Sequence, residues 1–241
     1  SNLEALNAVL DALSQERIDR YLCVGDAIGY GADPVACLGR LQGLNAVMVA
    51  GNHEWGCLGK LDAGWFNDAA RAALLWTREQ LGFIELDVLR RLPLTVTEGP
   101  MTLAHGSLRQ PARFDYLMDL AQALDTLKAC HTLLCLVGHT HIPLLIEYDR
   151  STHQVCRVLT QPGELQTVAF HHQPERFRYL LNPGSVGQPR DGDPRASFAI
   201  IDLDRQQLSV RRIPYPIETA AQKIRDAGLP PFLADRLRAG R

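Results

Sequence analysis

Short apolar runs interrupt the first 140 residues of the chain, and each is followed within two residues by a glycine. The runs cover residues 21–24, 46–49, 101–104 and 133–137. A run of four or five apolar residues that ends at a turn residue is typical of a buried strand. The pattern therefore predicts four strands, each leading into a glycine-containing loop.

Apolar residues repeat at helical spacing in the segments around these runs. Leucines at positions 3, 6, 10 and 13 predict a first helix over residues 1–13, with Asn2 as its N-cap. Asp33 and Pro34 begin a second helix, a helical excursion follows at about residues 55–92, and a further helix is predicted at 119–129. Strands that alternate with helices indicate an α/β fold with a parallel sheet.

After Pro143 the pattern changes to short strands with little helix between them. These strands are predicted at residues 144–148, 155–161, 164–170, 178–181, 197–202 and 207–213, with a turn at Pro162-Gly163. Such close spacing favours a second, more antiparallel sheet. The tail from Pro216 is predicted to form one or two helices.

Composition and charge narrow the class of protein. The 241 residues are 46% hydrophobic and 22% charged, with a net charge of −2, which is typical of a globular protein and predicts one domain over residues 1–241. This balance does not favour stable nucleic-acid binding, and no apolar run is long enough to cross a membrane. The six cysteines never form a C-x-x-C pair, so we expect reduced thiols in a cytoplasmic protein.

Five residues with metal-binding side chains follow the four predicted strands: Asp26, Asn52, His105, His139 and His141. Because the carboxyl ends of parallel strands meet at one edge of a sheet, we expect these side chains to lie together. Oxygen and nitrogen donors without a thiolate suit two closely spaced divalent ions. Taken singly, Asp26 also fits a turn, and the pair His139 and His141 also fits an ordinary loop. If the chain stays extended at His139-Thr140-His141, both imidazoles point the same way.

The order of these motifs resembles that of the calcineurin-like metallophosphoesterases. The motifs are Gly25-Asp26, Gly51-Asn52-His53-Glu54, His105-Gly106 and Gly138-His139-Thr140-His141. Tyr30-Gly31 and Asn182-Pro183-Gly184-Ser185 are similar to the smaller bacterial and archaeal phosphodiesterase branch. The resemblance implies a four-layer α-β-β-α sandwich with two mixed sheets and a metal site at the strand carboxyl ends.

The same resemblance implies a role for each ligand-type residue. Asp26 would bridge two divalent ions, which could be Mn, Fe, Zn, Ni or Co. One ion would be bound by Asn52, His105 and His139, and the other by His141. In the second motif, His53 would be the acid beside the leaving group.

Two further groups are candidates for the same site. Glu54 is expected to orient His53. Arg190 and Arg195 are candidate phosphate clamps, although they also fit a solvated loop.

The implied activity is hydrolysis of phosphoesters, as a phosphodiesterase or phosphatase, by in-line attack of a metal-bound hydroxide on phosphorus. The expected substrate is a phosphorylated small molecule or nucleotide, and a homo-oligomer is compatible with the sequence. One alternative is a phosphoprotein or nucleoside-polyphosphate phosphatase. Another is a non-catalytic metal-binding scaffold or regulatory protein of the same fold.

The sequence departs from the family pattern at two places. Glu54 stands where the family has an aspartate, so its carboxylate has a longer reach. The family also begins with a strand that ends in Asp-x-His, whereas neither residue precedes the first predicted helix here. We therefore expect an N-terminally shortened chain that holds one ion firmly and a second weakly or not at all.

Overall fold

The computed structural model describes residues 1–161 and 165–241. Its helices are α1 (Leu3–Leu13), α2 (Pro34–Gly43), α3 (Asn52–Cys57), α4 (Asp68–Gln80), α5 (Phe83–Arg91), α6 (Leu120–Ala129), α7 (Ile217–Asp226) and α8 (Pro231–Ala239). Its strands are β1 (Leu22–Cys23), β2 (Val47–Met48), β3 (Thr95–Glu98), β4 (Met101–Ala104), β5 (Leu134–Leu136), β6 (Pro143–Asp149), β7 (Gln154–Leu159), β8 (Val168–Ala169), β9 (Phe177–Pro183), β10 (Ala196–Asp202) and β11 (Gln207–Ile213).

A six-stranded mixed sheet, in the order β3-β4-β5-β9-β6-β7, forms one of the two strand layers. Strands β4, β5 and β9 run parallel to one another, while β3, β6 and β7 pair antiparallel with their neighbours. The central strand β5 is apolar throughout because both of its faces are covered. Leu134 packs between the two strand layers, and Cys135 packs on the opposite face, toward α6.

The second strand layer consists of two separate sheets. Strands β1 and β2 form a parallel pair, and β10, β11 and β8 form an antiparallel sheet. Apolar residues from both parts pack against the large sheet, with Val49 on one side and Leu208 on the other. A cavity of about 1020 Å³ lies between β1 and β10, and no ladder joins these strands in the described part of the chain.

Helices cover the outer faces of both strand layers. Helices α1, α7 and α8 pack on β10 around Phe198 and Ala221, and α2 and α4 pack on β1 and β2 around Leu38 and Leu74. Helix α6 packs on the outer face of the large sheet through Leu127. This arrangement confirms the predicted α-β-β-α order. It corrects the expectation of two mixed sheets: among the described residues the six-stranded sheet is mixed, the pair β1-β2 is parallel and the sheet of β10, β11 and β8 is antiparallel.

The predicted elements agree with the structure in type more closely than in length. The first four apolar runs contain β1, β2, β4 and β5, but the ladders occupy only two to four residues each. Asn2 caps α1, as predicted, by accepting from the Ala5 amide at 3.1 Å. Strand β3 was not predicted, and of the strand expected at 164–170 only β8 is formed. Glu164 and the predicted Pro162-Gly163 turn lie outside the described residues.

Candidate metal centre

Loops at the carboxyl ends of four strands bring the predicted ligands together. Asp26 follows β1, Asn52 begins α3 just after β2, and His105 directly follows β4. His139 and His141 lie in the loop between β5 and β6. The expected position of the site, at the carboxyl edge of parallel strands, is therefore what the structure shows.

His105 Nε2 lies at the centre of a compact group of donor atoms. It is 3.1 Å from Asp26 Oδ2, 3.2 Å from Asn52 Oδ1 and 2.9 Å from His139 Nδ1. Asp26, His105 and His139 each place a ligand atom within 4.8 Å of the others. Four oxygen and nitrogen donors on four different loops thus converge on a space suited to one divalent ion.

The charges of the group favour a cation at its centre. Burial opposes ionisation of Asp26, but the positive charges of His105 and His53 prevail and hold its pKa well below the usual range. Burial likewise opposes protonation of His105, yet the charge of Asp26 and its hydrogen bond raise the pKa of that imidazole. A carboxylate in this place therefore attracts positive charge, which a bound metal ion would supply.

Backbone carbonyls fix the orientation of two imidazoles. His105 Nδ1 donates to the Val24 carbonyl and His141 Nδ1 to the Gln188 carbonyl, both at 2.7 Å. Because a carbonyl oxygen can only accept, the neutral form of each ring carries its proton on Nδ1. Each Nε2 is therefore left with a lone pair, which is the arrangement that metal-binding histidines commonly require.

The segment from Gly138 to His141 is not extended, so the condition under which its two imidazoles would point the same way is not met. His139 and His141 both have left-handed backbone, with φ of 65° and 61°. Asn182 stabilises the bend by donating from Nδ2 to the Gly138 carbonyl at 2.7 Å and to Thr140 Oγ1 at 2.9 Å. As a result His139 reaches His105, whereas His141 turns toward the loop that contains Gln188.

Glu54 binds backbone amides of two loops. Its carboxylate accepts from the amides of Asp26 at 2.9 Å, Ala27 at 2.8 Å and Gly51 at 2.7 Å. The longer glutamate reaches from the first turn of α3 across to the loop after β1. The expected contact of Glu54 with the His53 imidazole is not made among the described residues.

His53 is fully buried, and neither of its ring nitrogens has a hydrogen-bond partner among the described residues. Its ring lies between Tyr30, at a centroid distance of 4.3 Å, and Phe66, at 5.1 Å. Burial lowers the pKa of His53 to about 4, against the opposing effect of the Asp26 charge. Aromatic packing thus holds the ring beside the donor atoms around His105, and its two nitrogens make no hydrogen bond among the described residues.

The structure brings Arg190 to this region and leaves Arg195 outside it. The Arg190 guanidinium lies over the Tyr30 ring, with Cζ 5.5 Å from the centroid, and its Nη2 donates to Gln188 Oε1 at 2.9 Å. Burial, followed by the charge of Arg190, lowers the pKa of His141 to about 3. Arg195 instead pairs with Asp193 at the surface.

Two residues beside the candidate site were missed in the sequence analysis. Tyr116 stacks on His139 with a centroid distance of 3.7 Å and an interplanar angle of 21°, but it lies in an irregular segment. Gln188 accepts from both His141 and Arg190. Its position within a loop rich in glycine and proline is the only indication the sequence contains.

A metallophosphoesterase combines two sheet layers between helices with carboxylate, amide and imidazole groups at the strand ends, and this is the class that the fold and the ligand group define. The chain belongs to the calcineurin-like phosphoesterase superfamily, whose domain matches residues 1–206. This family normally binds divalent metals, and membership supports a hydrolase that acts on phosphoesters.

Individual relatives are similar over the whole chain. The protein MJ0912 of Methanocaldococcus jannaschii is 36% identical over 245 residues, covering 100% of this chain and 95% of its own length. A metallophosphoesterase structure from Sphaerobacter thermophilus is 38% identical, with a TM-score of 0.84 and coverage of 100% and 95%. The hypothetical protein PH1004 from Pyrococcus horikoshii, at 20% identity, TM-score 0.75 and coverage of 100% and 94%, shares the fold.

No helix in the described part of the chain is long and apolar enough to cross a membrane.

Proposed function

We propose that this chain hydrolyses phosphoester bonds at a divalent-metal centre formed by Asp26, Asn52, His105 and His139. The observation that carries the proposal is the convergence of three donor atoms within 3.2 Å of His105 Nε2. His141, with its Nε2 left free by the bond to Gln188, extends the group toward a second ion. The packing of helices on sheets does not require a fixed set of donor atoms of this kind.

The donor set fits a hard or borderline divalent cation such as Mn²⁺, Fe²⁺ or Zn²⁺, because it contains oxygens and imidazoles and no thiolate. When bound, such an ion supplies Lewis acidity toward the phosphoryl oxygens and lowers the pKa of coordinated water. The hydrolysis adds water across the phosphorus–oxygen bond, and the leaving oxygen takes up a proton.

The chain itself supplies position, proton transfer and charge. Glu54 fixes the amides of Asp26 and Ala27, so the carboxylate of Asp26 is held in place. His53 has ring nitrogens without partners beside the group, and we assign it the proton that the leaving oxygen receives, because the negative charge of a bound phosphoryl group would raise its pKa from about 4. Arg190 has no carboxylate partner among the described residues and is assigned to a phosphoryl oxygen.

The experiment is a titration with Mn²⁺ combined with a substrate screen. We expect the protein to bind the ion and to hydrolyse bis(4-nitrophenyl) phosphate or 4-nitrophenyl phosphate, and we expect a chelator to abolish turnover. His105→Asn should lose both metal and activity. His172→Asn, a change at an exposed histidine, should lose neither.

Each outcome separates the alternatives. Absence of metal binding at a large excess of Mn²⁺ would overturn the proposal. Tight metal binding without turnover of any mono- or diester would assign the chain to the scaffold class instead. The ratio of the two nitrophenyl substrates then distinguishes a phosphodiesterase from a phosphatase.

A further inference from the structure

Tyr30 occupies an unusual position beside the metal centre, and the proposed function does not yet give it a role. Its backbone is left-handed, with φ of 59°, a conformation that is unfavourable for a bulky residue unless the surroundings impose it. Its ring contacts His53 at a centroid distance of 4.3 Å and meets His141 edge-on at 6.3 Å. The strained backbone thus places an aromatic face between the proton donor and a metal ligand.

The Tyr30 ring also carries the Arg190 guanidinium. Cζ lies 5.5 Å from the ring centroid, within the range of a cation–π interaction. Gln188 Oε1 accepts from Arg190 Nε at 3.3 Å and from Nη2 at 2.9 Å. Two neutral groups therefore hold the guanidinium, and no carboxylate in the described part of the chain neutralises it.

The same contacts link Arg190 to a metal ligand. The Arg190 amide donates to the His141 carbonyl at 3.3 Å, and His141 Nδ1 donates to the Gln188 carbonyl at 2.7 Å. Arg190 and His141 are therefore fixed relative to each other through both backbone and side chain. A half-buried cation held in this way, without a counter-ion, is suited to binding an anion at the adjacent centre.

We propose that Tyr30 is a positioning residue that holds the Arg190 guanidinium against the phosphoryl group of the substrate. The proposal rests on the proposed function, because it assumes that a phosphoryl group binds at the metal centre. Tyr30 acts chiefly through its ring face, and the guanidinium of Arg190 makes the contact with the phosphoryl group. The left-handed backbone matters because it directs the ring across His53 and under Arg190.

A purely structural role is the competing explanation, since Tyr30 also packs against the apolar clusters beneath α1 and α2. Three variants separate the two explanations. Tyr30→Phe keeps the ring, Tyr30→Leu removes it without adding a β-branch, and Arg190→Gln removes the charge. Arg205→Gln, at an exposed arginine that pairs with Asp202, serves as the control for loss of a positive charge.

The readouts are the dissociation constant of inorganic phosphate in the presence of Mn²⁺, and KM and kcat for bis(4-nitrophenyl) phosphate. Loss of the cation–π contact should weaken phosphate binding about tenfold in Tyr30→Leu and raise KM by a similar factor, with metal content unchanged. Tyr30→Phe, which keeps the ring and removes only the interaction of the hydroxyl with Arg190, should lose clearly less than Tyr30→Leu. Arg205→Gln should behave like the wild type. In the Arg190→Gln background, Tyr30→Leu should add little further loss, because both changes remove the same contact.

Three results would overturn the proposal. Additive effects of Tyr30→Leu and Arg190→Gln would show that Tyr30 does not act through Arg190. Equal loss in Tyr30→Phe would assign the effect to the hydroxyl. Unchanged phosphate binding in Tyr30→Leu would leave only a packing role. Since phosphate binding is measured without turnover, an inactive wild type that still binds phosphate with the expected variant pattern would contradict the proposed function alone.

Discussion

At the scale of single residues, the buried imidazole of His53 shows how packing and chemistry combine. Aromatic rings hold it on two sides, and no hydrogen bond among the described residues uses its nitrogens. A buried polar group without a partner is costly, and such groups occur where a function requires them. The cost is consistent with a substrate atom completing the contact.

His53→Ala should lower kcat by about 10²- to 10⁴-fold, the usual range for a general acid, and should leave metal content near the wild-type value. The loss should be smaller for nitrophenyl esters, since nitrophenolate departs without protonation. Steady-state kinetics with an alkyl and a nitrophenyl ester, together with metal analysis, test this. A variant that loses its metal would reassign His53 as a ligand.

At the residue scale, the sequence indicated which side chains come together but not how they are oriented. Asp26, Asn52, His105 and His139 each follow an apolar run, so their convergence could be predicted. The left-handed backbone at His139 and His141 could not, because it depends on Asn182, which lies more than 40 residues further along the chain. Tyr116 was missed for the same reason, since stacking is a tertiary contact.

At the scale of elements, two helix starts share one pattern and differ in burial. In α3 the side chain of Glu54 accepts from the Gly51 amide, and in α5 Glu85 accepts from the Gly82 amide. Only Glu54 also reaches a second loop, through the amides of Asp26 and Ala27. The buried helix start therefore stabilises the loop that contains Asp26 as well as its own helix.

Glu54→Gln should lower the free energy of unfolding by about 2–4 kcal/mol, because the NH2 group that replaces one carboxylate oxygen faces buried N–H donors and cannot accept from them. Glu85→Gln, the matched change at the exposed helix start, should stay within about 0.5 kcal/mol of the wild type. Urea denaturation of both variants measures the difference. Equal losses would mean that the second loop gains nothing from Glu54.

The loop after β1 gives a second prediction at this scale. Gly29 has φ of +92°, and a Cβ there would lie 2.3 Å from His53 Nδ1. Gly59 also has a positive φ, of +69°, but its Cβ would meet nothing within 4 Å. Gly29→Ala should therefore displace the imidazole and lower kcat at least tenfold.

Gly59→Ala is the control for backbone strain, and should cost about 1 kcal/mol of stability while kcat stays unchanged. Thermal unfolding and steady-state kinetics of both variants provide the comparison. If Gly29→Ala lost stability without losing activity, the close packing of His53 against Gly29 would have no catalytic importance.

Element boundaries were the weakest part of the sequence-based prediction. Apolar runs of four or five residues contain ladders as short as two residues, as in β1 and β2, because burial extends beyond the hydrogen-bonded pairs. Strand β3 was missed because its half-exposed residues Thr95–Glu98 lie between Pro93 and Gly99 and carry little apolar pattern. It forms because a tight turn places it directly against β4, with which it pairs antiparallel.

At the scale of the whole molecule, the layer order followed from the resemblance to the family, whereas the division of the second strand layer could not be predicted. Alternating strands and helices lead to sheets with covered faces. Strands β1 and β10 lie far apart in the chain and remain unpaired among the described residues, with a cavity of about 1020 Å³ between them. No local pattern contains that information.

A bound divalent ion should stabilise the whole fold, because its ligands come from four separate loops. At a free-ion concentration about 100 times the dissociation constant, the expected gain is about 2.7 kcal/mol. Thermal unfolding with increasing Mn²⁺ should show a rising Tm in the wild type and a flat response in His105→Asn. A rise of the same size in that variant would place the stabilising ion elsewhere.

The strand order also determines when the site can form during folding. Strand β9 lies between β5 and β6, which are neighbours in the chain, and its last residues include Asn182, the donor that holds the loop of His139 and His141. The large sheet therefore cannot close until β9 arrives from about 40 residues downstream, and such non-local pairing slows folding. The tryptophans Trp55, Trp65 and Trp76 all lie in the helical segment after β2.

We expect tryptophan fluorescence to recover early in refolding and the capacity to bind Mn²⁺ to recover later, in a separate slow phase. Stopped-flow mixing with delayed metal addition measures the two phases, and a prolyl isomerase identifies any part due to proline. One common rate for both signals would mean that sheet closure is not the late step. If metal binding is the later step, a newly synthesised chain passes through a compact state that has most of its helices but no affinity for metal. Metal uptake in the cell would then report completed folding.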